Sequence, residues 1–266
     1  MEHYLPPLCC QAIKHVCHDA KNIRFPDVEG KVAPVFLADT QNKTLVFKFS
    51  DEQIVKKNLM ASQLMRQYDI KMPDINIHQY QGTWFEVYQY NPIKTLYEQM
   101  QSGLSMKHIF AAYSNAVHIQ YQISQIPVSD FRPVRYRTYS EILLNHVQNM
   151  PFPIAVYRKI LAYNARMGRQ MVLHNDVHPG NILYSPETGE THLLDLDAVG
   201  VSGEQFAALK MVYQYPLENY GDILDVYELI SGHKLNRLMI NAACKMMENL
   251  HQKRQQIINV FKASQR

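Results

Sequence analysis

The chain has 266 residues, 47% hydrophobic and 19% charged, enough to bury a sizeable core as one large domain or two small ones. Its net charge of +3 is the small difference between 27 basic and 24 acidic residues, and no long basic run is present, which argues against nucleic acid as a partner. The N-terminal MEHYLPPLCC lacks a basic start followed by an apolar run, and no stretch approaches the roughly 18 apolar residues of a membrane helix. A cytoplasmic location without membrane insertion is therefore expected, and Cys9, Cys10, Cys17 and Cys244 are too few and too unevenly placed for a disulfide scaffold.

In chain order, Cys9, Ile13, Val16, Cys17 and Ala20 recur at helical spacing, a buried stripe in which cysteine acts as a small hydrophobe. A zinc reading of these cysteines with His15 and His18 lacks the second ligand pair that structural zinc sites use. Residues 32–49 hold two β-prone runs around Asp39-Thr40-Gln41-Asn42, which predicts a hairpin with Lys48 near the end of its second strand. Residues 52–68 predict an amphipathic helix with Ile54, Val55, Leu59, Leu64 and Met65 on its apolar side, ahead of Pro73. Ile75–Ile77 and Trp84–Tyr90 read as two more strands, ended by Asn91-Pro92.

Beyond residue 92 the pattern turns helical. Ser105 is placed to cap a helix carrying Ile109, Ala112, Tyr113, Ala116, Ile119 and Ile123, and Ala155–Met167 reads as a helix stopped by Gly168. The expected fold class is α+β, in two lobes: a small antiparallel-sheet lobe over residues 1–90 and a larger, mainly helical lobe over 91–266.

Residues 171–200, MVLHNDVHPGNILYSPETGETHLLDLDAVG, carry the chemistry. The apolar run Met171–Leu173 ends at His174-Asn175-Asp176, and Pro179-Gly180 forces a loop. Ile182–Tyr184 and His192–Leu194 predict a hairpin around the turn-rich Ser185–Thr191. Pairing 184 with 192 and 182 with 194 would set Asn181 across from Asp195, with Asp176 at the other end of the loop. Two carboxylates and one amide around one space suit Mg²⁺, a hard cation held by one or two carboxylates together with phosphates. A second carboxylate is left to orient a hydroxyl and take its proton.

The string His174-Asn175-Asp176-Val177-His178-Pro179-Gly180-Asn181, followed by Leu193-Leu194-Asp195-Leu196-Asp197, closely resembles the aminoglycoside phosphotransferase and choline kinase superfamily over about thirty residues. The resemblance implies a protein-kinase-like fold and a Mg²⁺-dependent kinase moving a phosphoryl group from ATP or GTP to a hydroxyl of a small molecule such as an amino alcohol, aminoglycoside or sugar. Carried over by position, it implies that Asp176 is the catalytic base, that Asn181 and Asp195 hold Mg²⁺, and that His174 braces the loop. Lys48 would hold the α- and β-phosphates, and the backbone near Tyr88–Tyr90 would receive the nucleotide base. His178 stands where protein kinases tend to have a lysine that touches the transferred phosphate, as a catalytic contact or as loop packing. Asp197 is a further contact or a solvated neighbour.

Two departures motivate the alternative of a pseudokinase that binds nucleotide or a partner without turnover. Only Gly30 precedes the lysine strand, and no acid occurs between Glu52 and Asp69 to pair with Lys48, leaving Asn58 or Gln63 as substitutes. A protein or peptide kinase is disfavoured by the missing A-P-E segment and the short chain after Asp195. On the acceptor, Tyr213, Tyr215, Tyr220 and Tyr227 alternate with Glu218, Asp222, Asp225 and Glu228, as a cage for a cationic amine or as ordinary helix packing. Arg132, Arg135 and Arg137 point instead to an anionic acceptor, or are solvated. Oligomeric state is not legible.

Overall fold

The computed structural model describes residues 6–26, 34–131, 138–144, 147, 154–213, 221–245 and 248. The described chain divides into two compact units, one running up to Ile93 and the other starting at Lys94. No helix among the described residues is long and apolar enough to cross a membrane.

The first unit is built on a five-stranded antiparallel sheet of order β1-β2-β3-β5-β4, made from β1 (Lys21–Arg24), β2 (Val35–Asp39), β3 (Thr44–Ser50), β4 (Asn76–Tyr80) and β5 (Thr83–Gln89). The predicted hairpin is β2–β3, in register from Asp39↔Thr44 to Val35↔Lys48. Its turn is closed by the Thr40 N–H on the Lys43 carbonyl at 2.8 Å. Alternation along the strands sends Phe47, Phe49, Phe85 and Val87 to one face, where they join Phe36 and Ala38 in a core covered by Ala12 and Ile13 of α1 (Pro7–Val16). Cys9, Val16, Cys17 and Ala20 pack against that core, as the stripe predicts.

The opposite alternation places Lys48 and Glu86 on the other face, which α2 (Glu52–Gln67) covers after its N-cap Asp51 accepts from the Gln53 and Ile54 N–H groups. Here the structure differs from the sequence pattern. Val55 and Met65 are buried, but Ile54, Leu59 and Leu64 are only half-buried, and Lys57, Asn58 and Ser62 take core-facing positions. The physical reason is the polar face of the sheet: Asn58 Nδ2 donates to Glu86 Oε1 at 2.6 Å, and Ser62 Oγ donates to the Pro73 carbonyl at 2.7 Å.

The second unit contains α3 (Leu96–Gln101), α4 (Met106–Ser124), α5 (Tyr139–Leu144), α6 (Ile154–Ala165), α7 (Glu204–Tyr213) and α8 (Gly221–Ser231), with further helical residues at 237–245. The α4 helix buries the predicted Ile109, Ala112, Tyr113, Ala116 and Ile123, and Ser105 sits at its N-cap in extended conformation without a side-chain cap bond. Two small antiparallel pairs complete the unit: β6 (Gln170–Leu173) with β9 (Gly200–Gly203), and β7 (Ile182–Tyr184) with β8 (Thr191–Leu193). Nothing in the sequence marks Gly200-Val201-Ser202-Gly203 as a strand. It pairs because Gly203 lets the β9 backbone approach Met167 so closely that a Cβ would lie 1.8 Å from the Met167 carbonyl oxygen.

The β7–β8 register corrects the predicted one by a single residue. Tyr184 pairs with Thr191 and Ile182 with Leu193, so the residue across from Asn181 is Leu194, not Asp195. The turn sets this: the Ser185 N–H bonds to the Glu190 carbonyl at 2.9 Å and the Gly189 N–H returns to the Ser185 carbonyl at 2.7 Å, with Gly189 at φ +72°.

Candidate functional site

The loop after β6 is assembled by its own polar groups. Asn175 adopts φ +64°, an unusual conformation for a residue with a Cβ, and is almost fully buried. Its Nδ2 lies 3.1 Å from each of the carbonyls of Leu173, Ala198 and Gly200, while its Oδ1 accepts the Ser202 hydroxyl. One side chain thus ties the chain before Asp176 to the chain after Asp195. No motif in the sequence marks Asn175, although its residue type, tolerant of positive φ and carrying both donor and acceptor, is the available signal.

His174 is fully buried, and burial lowers its pKa, so the ring is neutral. Its Nε2 donates to the Leu194 carbonyl at 2.8 Å, a carbonyl being able only to accept. Leu194 is held from its other side as well, by its own N–H on the Asn181 carbonyl at 2.8 Å. Asp195 is therefore hung from a backbone fixed at both polar groups. It leaves the strand at φ +62°, and its Oδ1 accepts the Asp197 N–H at 3.1 Å.

Asp176, His178 and Asn181 are brought into direct contact. Asn181 Nδ2 donates to the Asp176 carbonyl at 3.0 Å and approaches its Oδ2 at 3.4 Å. His178 Nδ1 accepts the Gly180 N–H at 3.0 Å, which puts the ring proton on Nε2, 3.6 Å from Asp176 Oδ2. Gly180 permits this arrangement, since a Cβ there would lie 2.9 Å from the imidazole. The other oxygen, Oδ1, lies 3.2 Å from Nζ of Lys210 on α7. Burial pushes the Asp176 carboxyl up, but the His178 contact and the Lys210 charge more than offset it and hold the group below the usual carboxylate range. At neutral pH Asp176 is an ionised acceptor. Lys210 was missed from sequence, where a single lysine in an apolar helix carries no motif.

With its nitrogen on Asp176, Asn181 would meet a cation through its amide oxygen, and Asp195 would add a carboxylate. This all-oxygen set fits Mg²⁺ bound jointly with phosphates. Among the described residues no three histidine, cysteine or acidic side chains gather into a self-sufficient metal cage.

In the first unit Lys48 is buried and lies directly across from Glu86 in the β3–β5 register. Glu86, also buried, is thus the acid across the strand from Lys48, whereas Glu52 at the start of α2 is exposed and paired with Lys56; Asn58 bonds to Glu86 and Gln63 is exposed. Tyr88 is half-buried across from Val46, and Tyr90 is exposed just past the end of β5. Of the backbone groups expected to receive a nucleotide base, the Tyr90 N–H is already spent on the Thr44 carbonyl at 3.0 Å. The two acceptor hints fare differently. Glu228 is bound by Lys234 and Arg237, and Asp225 by Arg237, so these acids serve internal ion pairs in place of a cation cage. Tyr227 is buried. Gly30, Arg132, Arg135, Arg137, Tyr215, Glu218, Tyr220 and the side chain of Tyr213 lie outside the described residues.

No protein-family model and no curated protein sequence matches the chain. Solved structures do. The GDP complex of wild-type aminoglycoside 2'-phosphotransferase-IIIa is similar with a TM-score of 0.61 at 17% identity, over 94% of each chain. Spectinomycin phosphotransferase in complex with ADP and spectinomycin is similar at 0.60 and 14%, over 90% of this chain and 84% of that one. Choline kinase LicA from Streptococcus pneumoniae is similar at 0.60 and 14%, over 93% and 90%. At these identities the likeness establishes the fold alone: the chain shares the α+β fold of these solved phosphotransferase and choline kinase structures.

Proposed function

Starting from that shared fold, we propose that the chain is a Mg²⁺-dependent kinase that transfers the γ-phosphoryl group of ATP or GTP to a hydroxyl of a small molecule. The observation that carries this reading is the convergence of Asp176, His178 and Asn181 in one loop, with Asp195 hung from a Leu194 that both Asn181 and His174 hold. Two of the similar structures hold GDP or ADP, one of them together with spectinomycin, which supports a nucleotide and a hydroxyl-bearing acceptor as the ligand pair.

In this reading Asp176 accepts a hydrogen bond from the acceptor hydroxyl, aims its oxygen at the phosphorus and takes the proton as the new bond forms. The depressed carboxyl keeps it ionised and ready to orient the hydroxyl, at the expense of basicity. Asn181 Oδ1 and Asp195 would hold Mg²⁺, which when bound neutralises charge on the phosphates. His174 keeps Asp195 in place through Leu194. Lys48, fixed on the sheet opposite Glu86, is assigned to the α- and β-phosphates.

The test is Mg²⁺-dependent consumption of ATP and GTP by the full chain with amino alcohols, aminoglycosides and sugars, beside Asp176→Asn. Turnover with one acceptor class, lost by roughly a thousandfold or more in the variant, is the expected result. Nucleotide binding without transfer to any of these or to water would replace the kinase by a pseudokinase.

A further inference from the structure

Lys210 is the charged group that the loop chemistry leaves unexplained. It sits on α7 among Phe206, Ala207, Ala208, Leu209 and Met211, all buried, in a run that is apolar on every side. Ala207 packs on Met171 and Leu173 of β6, and Lys210, one turn further on the same side of the helix, reaches the loop that follows β6. Its side chain is only 9% exposed. Taking an ammonium out of water is costly, pairing repays that cost only in part, and an apolar side chain of similar volume packs without it. A structural position in this helix therefore calls for leucine or methionine, and the chain places a cation there instead, against the carboxylate proposed as the base.

We propose that Lys210 is a catalytic residue of the transfer, its ammonium shared between Asp176 Oδ1 and the phosphoryl group in flight. The proposal rests on the kinase reading above. Asp176 divides its two oxygens, with Oδ1 facing Lys210 and Oδ2 facing Asn181 and His178. During transfer the attacking oxygen is bonded to phosphorus on one side and hydrogen bonded to Asp176 on the other, so the negatively charged phosphoryl oxygens lie close to a carboxylate that repels them. An ammonium beside that carboxylate removes the repulsion. It carries three donors, and one carboxylate oxygen takes one of them, which leaves donors for phosphoryl oxygens. In the step itself, the acceptor oxygen bonds to the γ-phosphorus. The bond from that phosphorus to the bridging oxygen breaks with its electron pair going to the nucleoside diphosphate. The hydroxyl proton passes to Asp176, and Lys210 keeps its three protons.

The experiment measures kcat, nucleotide KM and Mg²⁺–ADP affinity for the full-length wild type, Lys210→Gln, Lys210→Arg and Lys210→Met, with the acceptor that supports turnover or, failing one, with water. Gln retains a donor for Oδ1 and loses the charge, whereas Arg retains the charge. The expected result is a loss of about a hundredfold or more in kcat for Gln and Met with ADP affinity within roughly threefold of wild type, and recovery of about tenfold over Gln in Arg. A role confined to holding the carboxylate predicts that Gln works as well as Arg, and that outcome overturns the proposal. If Met does not fold, Gln and Arg decide. A wild type in which Asp176→Asn abolishes turnover but folded Lys210→Gln does not would refute the role of Lys210 alone. A wild type that binds nucleotide yet transfers to neither acceptor nor water overturns the kinase reading and the role of Lys210 with it.

Discussion

The hydroxyl of Ser202 donates to the amide oxygen of Asn175, joining the segment that precedes the proposed base to the strand that follows the proposed metal ligands. With the three carbonyls on its nitrogen, Asn175 satisfies backbone groups from both sides of the hairpin. Asn175→Ala strands these buried groups and puts a plain Cβ at φ +64°. Urea unfolding should show a loss on the order of 3 kcal/mol or more. Asn175→Gly, which relieves the backbone, should recover about 1 kcal/mol of it.

Gly203→Ala should be among the most damaging single-methyl additions to the second unit. The clash is with backbone, the Met167 carbonyl at 1.8 Å, and neither partner is the free end of a flexible side chain. Parting β9 from the Met167 turn also disturbs the β6–β9 pair that carries residues 170–173 into the site. A loss of about 2–4 kcal/mol by urea unfolding is expected, whereas Gly189→Ala, with open space around it, should cost only about 1 kcal/mol of left-handed strain.

Lys48→Met should weaken Mg²⁺–ADP binding by at least about tenfold in calorimetry, as expected for losing a charge-assisted contact. Glu86→Gln should weaken it in the same direction, because Glu86 lies across the ladder from Lys48 and within 2.6 Å of Asn58. An ADP affinity unchanged in both variants would remove the assignment of Lys48 to the phosphates.

Glu228 makes a pH prediction. Arg237 first, then Lys234 and the Leu235 N–H, lower its pKa from an ordinary 4.5 to about 2. A carboxyl lowered on folding contributes stability that is fully present above its ordinary value and is lost as pH falls through the folded one. Glu228→Gln should therefore melt at a lower temperature than wild type at neutral pH, with the gap closing between about pH 4.5 and about pH 2. A gap that stays constant across that window would show that the ion pairs are not its source.

The parts of this fold legible in the sequence are those where one period dominates. The β2–β3 hairpin shows in two alternating runs around a turn, and α4 in its apolar positions at 109, 112, 113, 116 and 123. The loop from His174 to Asn181 is legible because its chemistry lies in side-chain types at fixed spacing. What was not legible depended on tertiary partners. The sequence pattern of α2 favoured Ile54, Leu59 and Leu64, and the helix instead turned Lys57, Asn58 and Ser62 to a sheet face made polar by Lys48 and Glu86. The acid across from Lys48, Glu86, stands on β5, where only strand register reveals it. Strand β9 carries two glycines and a serine in four residues, and Lys210 lies 34 positions beyond the carboxylate it meets.

The one-residue difference at β7–β8 has a practical side. Asp195 is positioned by the clamps on Leu194 and by its own backbone bend, while the far end of the hairpin is closed separately by Ser185 and Glu190. Because the same turn sets the register, a tag or label inserted between residues 186 and 189 has to keep the Ser185–Glu190 closure, or β8 slides along β7 and carries Leu194 and the proposed metal-binding carboxylate with it.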